Sequence, residues 1–494
     1  MKLEFKLLFG IFILLLNTSC GERSSDLLIR NITIVSPEKI QNDFKSDVYI
    51  KNGVIEQIAN NLEIEANQTI DGTGSFLTPG LIDSHVHLGS VPGMTYGQER
   101  ANKKLVKSAK RQIPKSYLYH GFTTIIDLHS NSDRTRQWNN QKIRPTAYFC
   151  GGAPLIDGYP MSFIPEAFRY TLTQYFIMEE NTTRKKINAE RHTPAAVVSR
   201  MKSDGAICVK THFEPGFGGE NKLPTPSVEL ITELKAQATK HDLKLLLHAN
   251  SEQAHRFGLT AGVDAIVHGM WKWNDVSQKS PNAEITSLID EQLAKRISLQ
   301  PTIQVLYGER DLHGPEYLSQ NALKDVLPQE LIDWYATTEG QQFRNQMSEN
   351  AYVKKRLEDK QWQTINAEPI SRVISTLNYW VKNNGSLIFG SDSPSSPTFA
   401  NPPGLNGRLE MDRWKQAGVT PIQFFIAATI DNARFFKLDD KIGTIEQGKR
   451  ADMLIMANDP RQSIEAFDTI DWVISEGVAI KRLDLSANSS ANTR

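Results

Sequence analysis

Eight short apolar runs alternate with helix-forming stretches between residues 81 and 394, and no other feature of the chain constrains its fold as strongly. The runs read LIDSHVHL, TTIIDLHS, TAYFCGG, AICVKTHF, LKLLLHAN, AIVHGM, ISLQPTI and SLIFGSDSP. Strands that alternate with helices pair in parallel, and eight such units are typical of a (β/α)₈ barrel, whose functional groups lie at the carboxyl ends of the strands. The sequence therefore predicts an α/β protein with a barrel over residues 81–437. We expect part of the long segment 305–385 to cap the barrel mouth.

Both ends of the chain show the alternation of apolar and polar residues that is typical of β-strands. Residues 26–80 include LLIRNITIVS and DVYIKNGVIEQI, where Asn52-Gly53 indicates a hairpin turn. The same alternation of apolar and polar residues occurs over residues 441–486, in ADMLIMAND and WVISEGVAIKR. We predict a small β domain from these two segments, followed by a flexible tail over residues 487–494.

The N-terminus has the pattern of an export signal. Lys2 and Lys6 precede ten apolar or small residues, which are too few to span a bilayer as a helix of about 20 residues. The run ends in Asn-Thr-Ser before Cys20 and resembles a bacterial lipobox, although Asn17 stands where Leu is usual. We predict a signal peptide over residues 1–19, lipidation of Cys20 and export to the cell envelope, with the lipid as the only membrane contact. The alternative is an ordinary signal peptide with a coincidental cysteine.

Composition narrows the possible partners and the redox state. The chain has 56 Lys+Arg and 56 Asp+Glu, a formal net charge of zero, whereas nucleic acid as the main partner requires a concentrated positive surface. Three cysteines are too few for a disulfide scaffold. Cys150 and Cys208 each lie in an apolar β-like run, and a pair of this kind can oxidise in an exported protein. We nevertheless expect two buried free thiols.

Six side chains suited to metal binding or catalysis stand at the ends of the predicted strands. They are His85, His87, Lys210, His248, His268 and Asp392. His85 and His87 are two apart on one strand, so both imidazoles lie on the same face and can chelate one cation. His248 and His268 are 20 residues apart, an interval that suits adjacent strands. A single histidine at a strand end is usually a polar rim residue, but the ordered set predicts a metal site.

The motifs that contain these residues resemble those of the amidohydrolase superfamily. FLTPGLIDSHVHL, the lysine of VKTHF, LLLHAN, GVDAIVHGM and FGSDSP are similar to its metal-ligand motifs, and IAATIDNARFFKLDDKIGTIEQGKRADMLIM is similar to the segment that follows its barrel. The resemblance implies a (β/α)₈ barrel beside a β-sandwich that is built from both chain ends. Lys210 makes the pattern resemble the binuclear, prolidase-like branch.

The resemblance also implies a ligand set for two divalent metal ions, with zinc as the default. His85, His87 and Asp392 would hold one ion, and His248 and His268 would hold the other. Lys210 would bridge them after conversion to a carbamate (N6-carboxylysine), because an ammonium group cannot ligate a cation.

The implied reaction is hydrolysis of an amide-type C–N bond in a small substrate, such as a dipeptide or an N-acyl amino acid. A hydroxide shared by the ions would attack the carbonyl, and Asp392 would carry its proton to the leaving nitrogen. Two alternatives stay open at this point. The same site suits an ester, lactone or phosphotriester, and the barrel can also serve as a non-catalytic binding scaffold.

Other polar and aromatic residues are weaker candidates for substrate binding. His129 ends the second strand, Asn250 stands where some prolidase-like relatives have histidine, and Tyr96 lies in the loop after the first strand. His212 is expected at a loop turn. Ser251 occupies the position where deaminase-like members carry an acid, which disfavours deamination.

Two further features bear on these candidates. Glu252 is one residue beyond the position of the deaminase acid, so we expect its side chain to point elsewhere. Tyr159 lies in the loop after the third strand, where an aromatic side chain more often packs than contacts substrate.

Overall fold

The computed structural model describes residues 26–180, 182, 187–217, 222–395 and 397–489. The predicted signal segment and Cys20 lie outside the described residues, as do positions 490–494 of the predicted tail. Within these ranges, no helix combines the length and the apolar character that a membrane span requires.

The two chain ends form one eight-stranded sheet. Its strands are β1 (Asp26–Ile34), β2 (Phe44–Lys51), β3 (Val54–Ala59), β4 (Gln68–Asp71), β5 (Phe76–Pro79), β13 (Met453–Met456), β14 (Ile470–Ser475) and β15 (Val478–Lys481). The order is β15-β14-β13-β5-β1-β2-β3, and β4 pairs with β1. The antiparallel pair β5–β13 joins the N-terminal strands to the C-terminal ones, and the turn at Asn52-Gly53 connects β2 to β3 as predicted.

A second sheet is entirely parallel and carries the predicted site. Its seven strands are β6 (Leu81–Val86), β7 (Phe122–Ser130), β8 (Thr146–Gly152), β9 (Cys208–His212), β10 (Lys244–His248), β11 (Ala265–Val267) and β12 (Ser298–Gln300). They are adjacent in chain order from β6 to β12. Each coincides with one of the first seven apolar runs of the sequence. The C-terminal strand ends therefore lie together at one edge.

The eighth apolar run does not form a regular strand, but its backbone pairs with both edges of the parallel sheet. Leu387 forms an isolated parallel bridge with Leu299 of β12, and Ser393 forms one with Val86 of β6. Asp392 N donates to His85 O at 2.8 Å. The sheet is therefore curled, with its first and last strands hydrogen-bonded to the same segment.

Helices connect the strands of this sheet, fill the long segment before the eighth run and continue after that run. They are α1 (Tyr96–Ala101), α2 (Lys103–Tyr119), α3 (Ser132–Asn139), α4 (Glu166–Leu172), α5 (Pro194–Ser203), α6 (Val228–Lys240), α7 (Glu252–Ala261), α8 (Ala283–Ala294), α9 (Gln304–Asp311), α10 (Asn321–Val326), α11 (Gln329–Tyr335), α12 (Gln342–Ser348), α13 (Ala351–Glu358), α14 (Ala367–Lys382), α15 (Leu405–Gln416), α16 (Pro421–Ile426), α17 (Asn432–Phe435) and α18 (Arg482–Leu485). Tyr335 of α11 donates its hydroxyl to Pro92 O at 2.6 Å, so the long segment contacts the loop after β6.

The inner face of the parallel sheet packs as a separate apolar cluster. Its members from the sheet and the eighth run include Ile82, Ile126, Leu128, Cys150, Cys208, Leu246, Ala265, Val267 and Ile388. Phe436, Leu438 and Ile442 belong to the same cluster. Because side chains alternate along a strand, Lys210 and His212 share this inner face with Cys208.

Cys150 and Cys208 form a disulfide, so the prediction of two free thiols was wrong. The two residues are direct register partners on the adjacent strands β8 and β9, and their Cα atoms are 4.4 Å apart. This separation lies at the short end of the range for disulfides. The bond therefore crosslinks two neighbouring strands inside the apolar cluster.

We expect the double substitution Cys150→Ala/Cys208→Ala to lower the free energy of unfolding by about 2–4 kcal/mol. The bond closes a loop with a sequence separation of 58 residues, and its removal increases the freedom of the unfolded chain. Denaturant unfolding of protein without residues 1–20, with and without reductant, measures the effect. If reductant lowers the stability of the double variant as much as that of the parent protein, the effect of reductant does not come from cleavage of this disulfide.

Candidate metal centre

His85, His87 and Asp392 converge where β6 meets the eighth run. His85 Nε2 is 3.2 Å and His87 Nε2 is 3.0 Å from Asp392 Oδ1. One ligand atom from each residue lies within 4.8 Å of the other two. His85 and Asp392 are buried, whereas the His87 side chain is 31% exposed. The three side chains form a compact group of two imidazoles and one carboxylate.

Backbone geometry explains how this group is assembled. Asp392 has a φ of 54°, a left-handed conformation that costs free energy in a residue with a side chain. A Cβ on Gly390 would lie 2.6 Å from His85 Cβ, so only glycine allows this close approach of the eighth run to β6.

His248, His268 and Lys210 lie beside this group. The His248 and His268 ring centroids are 4.5 Å apart, and those of His85 and His268 are 5.4 Å apart. Lys210 points to the inner face of β9 and is buried. The six predicted side chains thus surround one centre at the carboxyl edge of the parallel sheet.

The pKa values of the four histidines in this centre shift in different directions. Burial and the positive charge of Lys210 hold the pKa of His85 well below its usual range. Burial, together with neighbouring His248 and Lys210, does the same for His268. Burial also lowers the pKa of His248. Neutral imidazole is the form that ligates a metal.

His87 is the exception among the four histidines. Burial opposes its protonation, but the carboxylates of Asp127 and Asp392, which lie 3.8 and 3.0 Å from its ring nitrogens, outweigh burial and raise its pKa to about 9. A cation bound at its nitrogen would replace that proton.

The residues present fit a divalent metal. His85 Nδ1 is buried without a hydrogen-bond partner in the described part of the chain. His268 Nδ1 lies 2.7 Å from Thr302 Oγ1, which orients the ring and leaves Nε2 available as a donor. Imidazole nitrogen and carboxylate oxygen are the donors that zinc and similar divalent ions take.

Lys210 fits the set only in a modified form. Burial lowers the pKa of its amine to about 7, and among the described residues the amine has no hydrogen bond or ion pair. Protonation of a buried amine that has no partner costs free energy. The neutral form of the amine is therefore available as a nucleophile.

Glu214 is a buried acid at this centre that the sequence analysis missed. One carboxylate oxygen accepts from Asn250 Nδ2 at 2.6 Å and lies 3.5 Å from His248 Nε2. The other accepts from Gly216 N at 2.7 Å and lies 4.0 Å from Lys272 Nζ. Glu214 therefore orients His248 and leaves its Nδ1 available as a donor.

We expect Glu214→Gln to lower the affinity of the centre for divalent metal about 10–100-fold while preserving the fold, because a neutral amide holds His248 less firmly. Titration of metal-free protein with Zn²⁺ measures the change, and the exposed Glu233→Gln on α6 is the control. Equal metal affinities in the two variants would show that Glu214 does not support metal binding through His248.

The residues after β10 occupy defined structural positions. Asn250 is buried and donates to Glu214, so its amide is already engaged. Ser251 caps the N-terminus of α7 by accepting from Ala254 N. Glu252 accepts from Asn274 N at 3.0 Å.

The structure brings His129 and His212 to the same edge. His212 is the last residue of β9 and is buried, so the expectation of a loop turn there was wrong. Its ring centroid is 5.7 Å from that of His129 and 5.6 Å from that of His248. The strand continues two residues past Lys210 because β9 pairs with β10 as far as His248.

Tyr159 lies at this edge and Tyr96 does not. The Tyr159 ring centroid is 4.9 Å from that of His248, so Tyr159 packs against a predicted metal ligand. Tyr96 is the first residue of α1, 62% exposed, with the Arg100 guanidinium 5.8 Å from its ring. The geometry places Tyr96 on the surface and outside the buried centre.

A cavity of about 170 Å³ adjoins the partly exposed side of His87. Its lining includes Lys110, Tyr117, Arg134, Trp138 and Pro394. Because His87 is part of the lining, the cavity adjoins the candidate metal centre.

Fold and donor set together define the class of this protein as a metal-binding α/β enzyme. Within that class the chain belongs to the amidohydrolase family, whose profile matches residues 76–269 and 371–480.

Two curated relatives match short segments of this chain. A dihydroorotase from Streptococcus pneumoniae serotype 4 is 34% identical over 106 residues, which are 22% of this chain and 22% of that protein. An adenine deaminase from Desulforamulus reducens is 37% identical over 73 residues, 15% of this chain and 12% of that protein. The matched segments therefore span about a fifth or less of the length of these relatives.

Similarity to solved structures extends over nearly the whole fold. A Xaa-Pro dipeptidase with bound methionine has a TM-score of 0.60 at 17% identity and covers 92% of this chain and 100% of its own. A molinate hydrolase has a TM-score of 0.63 at 16% identity, covering 94% and 96%. At these identities the likeness concerns the fold.

Proposed function

We propose that this protein is a metal-dependent hydrolase that cleaves an amide-type C–N bond in a small substrate, such as a dipeptide or an N-acyl amino acid. The observation that carries the proposal is the convergence of four histidines, Lys210 and Asp392 at one edge of the parallel sheet. The dipeptidase and dihydroorotase named above support the choice of a C–N bond.

We assign the six residues to two divalent ions, with zinc as the default. His85, His87 and Asp392 would hold one ion, and His248 and His268 the other. When bound, such ions polarise the substrate carbonyl and lower the pKa of the attacking water. The ring orientations set by Thr302 and Glu214 support this assignment.

In its carboxylated form, Lys210 would contribute oxygen ligands to the two ions. Its neutral amine attacks CO₂, an N–C bond forms, and one proton is released to give a carbamate with two oxygens. The burial of the amine and its lack of a partner among the described residues support this modification.

Asp392 is assigned as the proton shuttle. Its carboxylate lies between the imidazoles of His85 and His87, and its second oxygen is 4.0 Å from His268 Nδ1. From this position the carboxylate accepts the proton of the attacking water and delivers it to the leaving nitrogen. The products are a carboxylic acid and an amine.

The finer architecture is part of the same proposal. Pairing of the eighth run with β6 and β12 supports a closed (β/α)₈ barrel over residues 81–437. One apolar cluster that includes Leu27, Val48 and Met453 supports a β-sandwich from residues 26–80 and 441–486. Export as a Cys20-anchored lipoprotein is also proposed, and the Cys150–Cys208 disulfide favours an oxidising compartment.

A matched panel of substrates tests the reaction. Metal-loaded protein is incubated with dipeptides, N-acyl amino acids, and esters, lactones and phosphotriesters of similar size, and the products are identified by mass spectrometry. We expect release of a carboxylic acid and an amine. Turnover of oxygen esters alone would replace the amide assignment, and no turnover by fully loaded protein would favour a binding scaffold.

A further inference from the structure

Two phenylalanine side chains are exposed to solvent beside the candidate metal centre. Phe163 is 66% exposed and Phe217 is 48% exposed. Phe163 lies in the connection after β8 and Phe217 in the connection after β9. These connections leave the carboxyl edge of the sheet, where the six candidate ligands lie.

Tyr159 links the exposed rings to the buried centre. Its ring centroid is 5.8 Å from that of Phe163 and 5.2 Å from that of Phe217, and the two phenylalanine centroids are 6.2 Å apart. The same tyrosine ring is 4.9 Å from His248. A continuous aromatic surface therefore runs from a candidate metal ligand to solvent.

The Phe217 ring is held in place by its neighbours. Gly216 N donates to Glu214, and Gly216 O accepts from Lys272 Nζ at 2.9 Å. The Lys272 ammonium also lies 5.6 Å from the centre of the Phe217 ring, within the range of a cation–π interaction. A hydrophobic ring fixed in water is unfavourable until an apolar partner covers it, and prior ordering lowers the entropic cost of binding.

We propose that Tyr159, Phe163 and Phe217 form an aromatic wall that binds an aromatic ring of the substrate next to the scissile amide. The inference rests on the proposed hydrolase function and narrows its substrates to amides with an aromatic group. Edge-to-face packing suits this wall, because Tyr159 meets Phe163 at 84° and Phe217 at 70°. A fourth ring, supplied by the substrate, extends the same arrangement.

Binding of a pair of product-like acids tests the wall without requiring turnover. The probes are 3-phenylpropanoate and propanoate, measured by titration calorimetry on zinc-loaded protein. We expect Phe217→Ala and Phe163→Ala each to weaken binding of 3-phenylpropanoate about tenfold or more, with propanoate affinity and metal content unchanged. Phe168→Ala is the matched control, because Phe168 is 50% exposed on α4 and is not among the rings in contact with Tyr159 in the described part of the chain.

The outcomes separate the wall from the reaction. Equal affinity of the parent protein for both probes, or equal losses in Phe168→Ala and Phe217→Ala, overturns the wall. If aromatic and acetyl amides are both hydrolysed and Phe217→Ala leaves their ratio of kcat/KM unchanged, the wall fails while the reaction stands. If the probes respond as expected and no amide is hydrolysed, the reaction fails while the wall stands.

Discussion

Asp392→Asn is expected to lower kcat by about 10³-fold or more while leaving most of the bound metal in place. Asparagine keeps the size of the side chain and one oxygen donor toward His85 and His87, whose nitrogens lie 3.2 and 3.0 Å from Asp392 Oδ1. An amide oxygen does not take up and release a proton at neutral pH, and loss of proton transfer costs about 10²–10⁴-fold. Steady-state kinetics and elemental analysis of the same preparation measure both quantities.

Two control variants separate loss of proton transfer from loss of metal in Asp392→Asn. Asp392→Ala removes the oxygen donor as well, so we expect it to lose metal in addition to turnover. Asp290→Asn changes an exposed carboxylate on α8 and should leave both unchanged. Full activity of metal-loaded Asp392→Asn would refute the assignment of Asp392 as the proton shuttle.

Lys210→Met should reduce bound metal from about two ions to about one per chain and remove nearly all activity. Methionine fills a similar volume at this buried position, so the fold is expected to persist. It supplies no oxygen donor, whereas the carbamate supplies two. Elemental analysis and kinetics, each with and without added bicarbonate, measure the change.

Lys210→Glu provides the complementary result. It places a carboxylate at this position without CO₂, so the metal that it retains should not respond to bicarbonate. Lys244→Met is the control. It replaces a partly exposed lysine that begins β10, at the end of the strand opposite to the centre, and pairs with Asp264. This variant should keep the metal. Two firmly held ions in Lys210→Met would exclude Lys210 as a bridge.

The parallel sheet and the placement of the six candidate residues were predictable from local sequence. LKLLLHAN became β10, which ends at His248, and LIDSHVHL became β6, which contains His85. The three leucines of β10, residues 245–247, are buried on both faces, because α6 packs against one side of this strand and Leu246 belongs to the inner apolar cluster on the other. A polar residue at the end of such a run is therefore placed at the carboxyl edge by the chain direction alone.

Contacts that depend on register or on loop geometry were not predictable in this way. The Cys150–Cys208 disulfide requires β8 and β9 to align these residues exactly opposite each other, and single-strand patterns do not contain that alignment. Glu214 lies in the Gly- and Pro-containing segment HFEPGFGG, and its partner Asn250 is 36 residues away. An acid four residues after Lys210 was the available signal. Tyr96 lies at the start of α1. The composition of the segment after β6 did not indicate this helix.

Metal content per chain tests most directly whether one buried centre holds two divalent ions. The measurement uses elemental analysis of purified protein without residues 1–20, before and after reconstitution with zinc in the presence of bicarbonate. We expect about two tightly held ions per chain. A single ion would contradict the bridging role of Lys210, and the absence of bound metal after reconstitution would contradict the account as a whole.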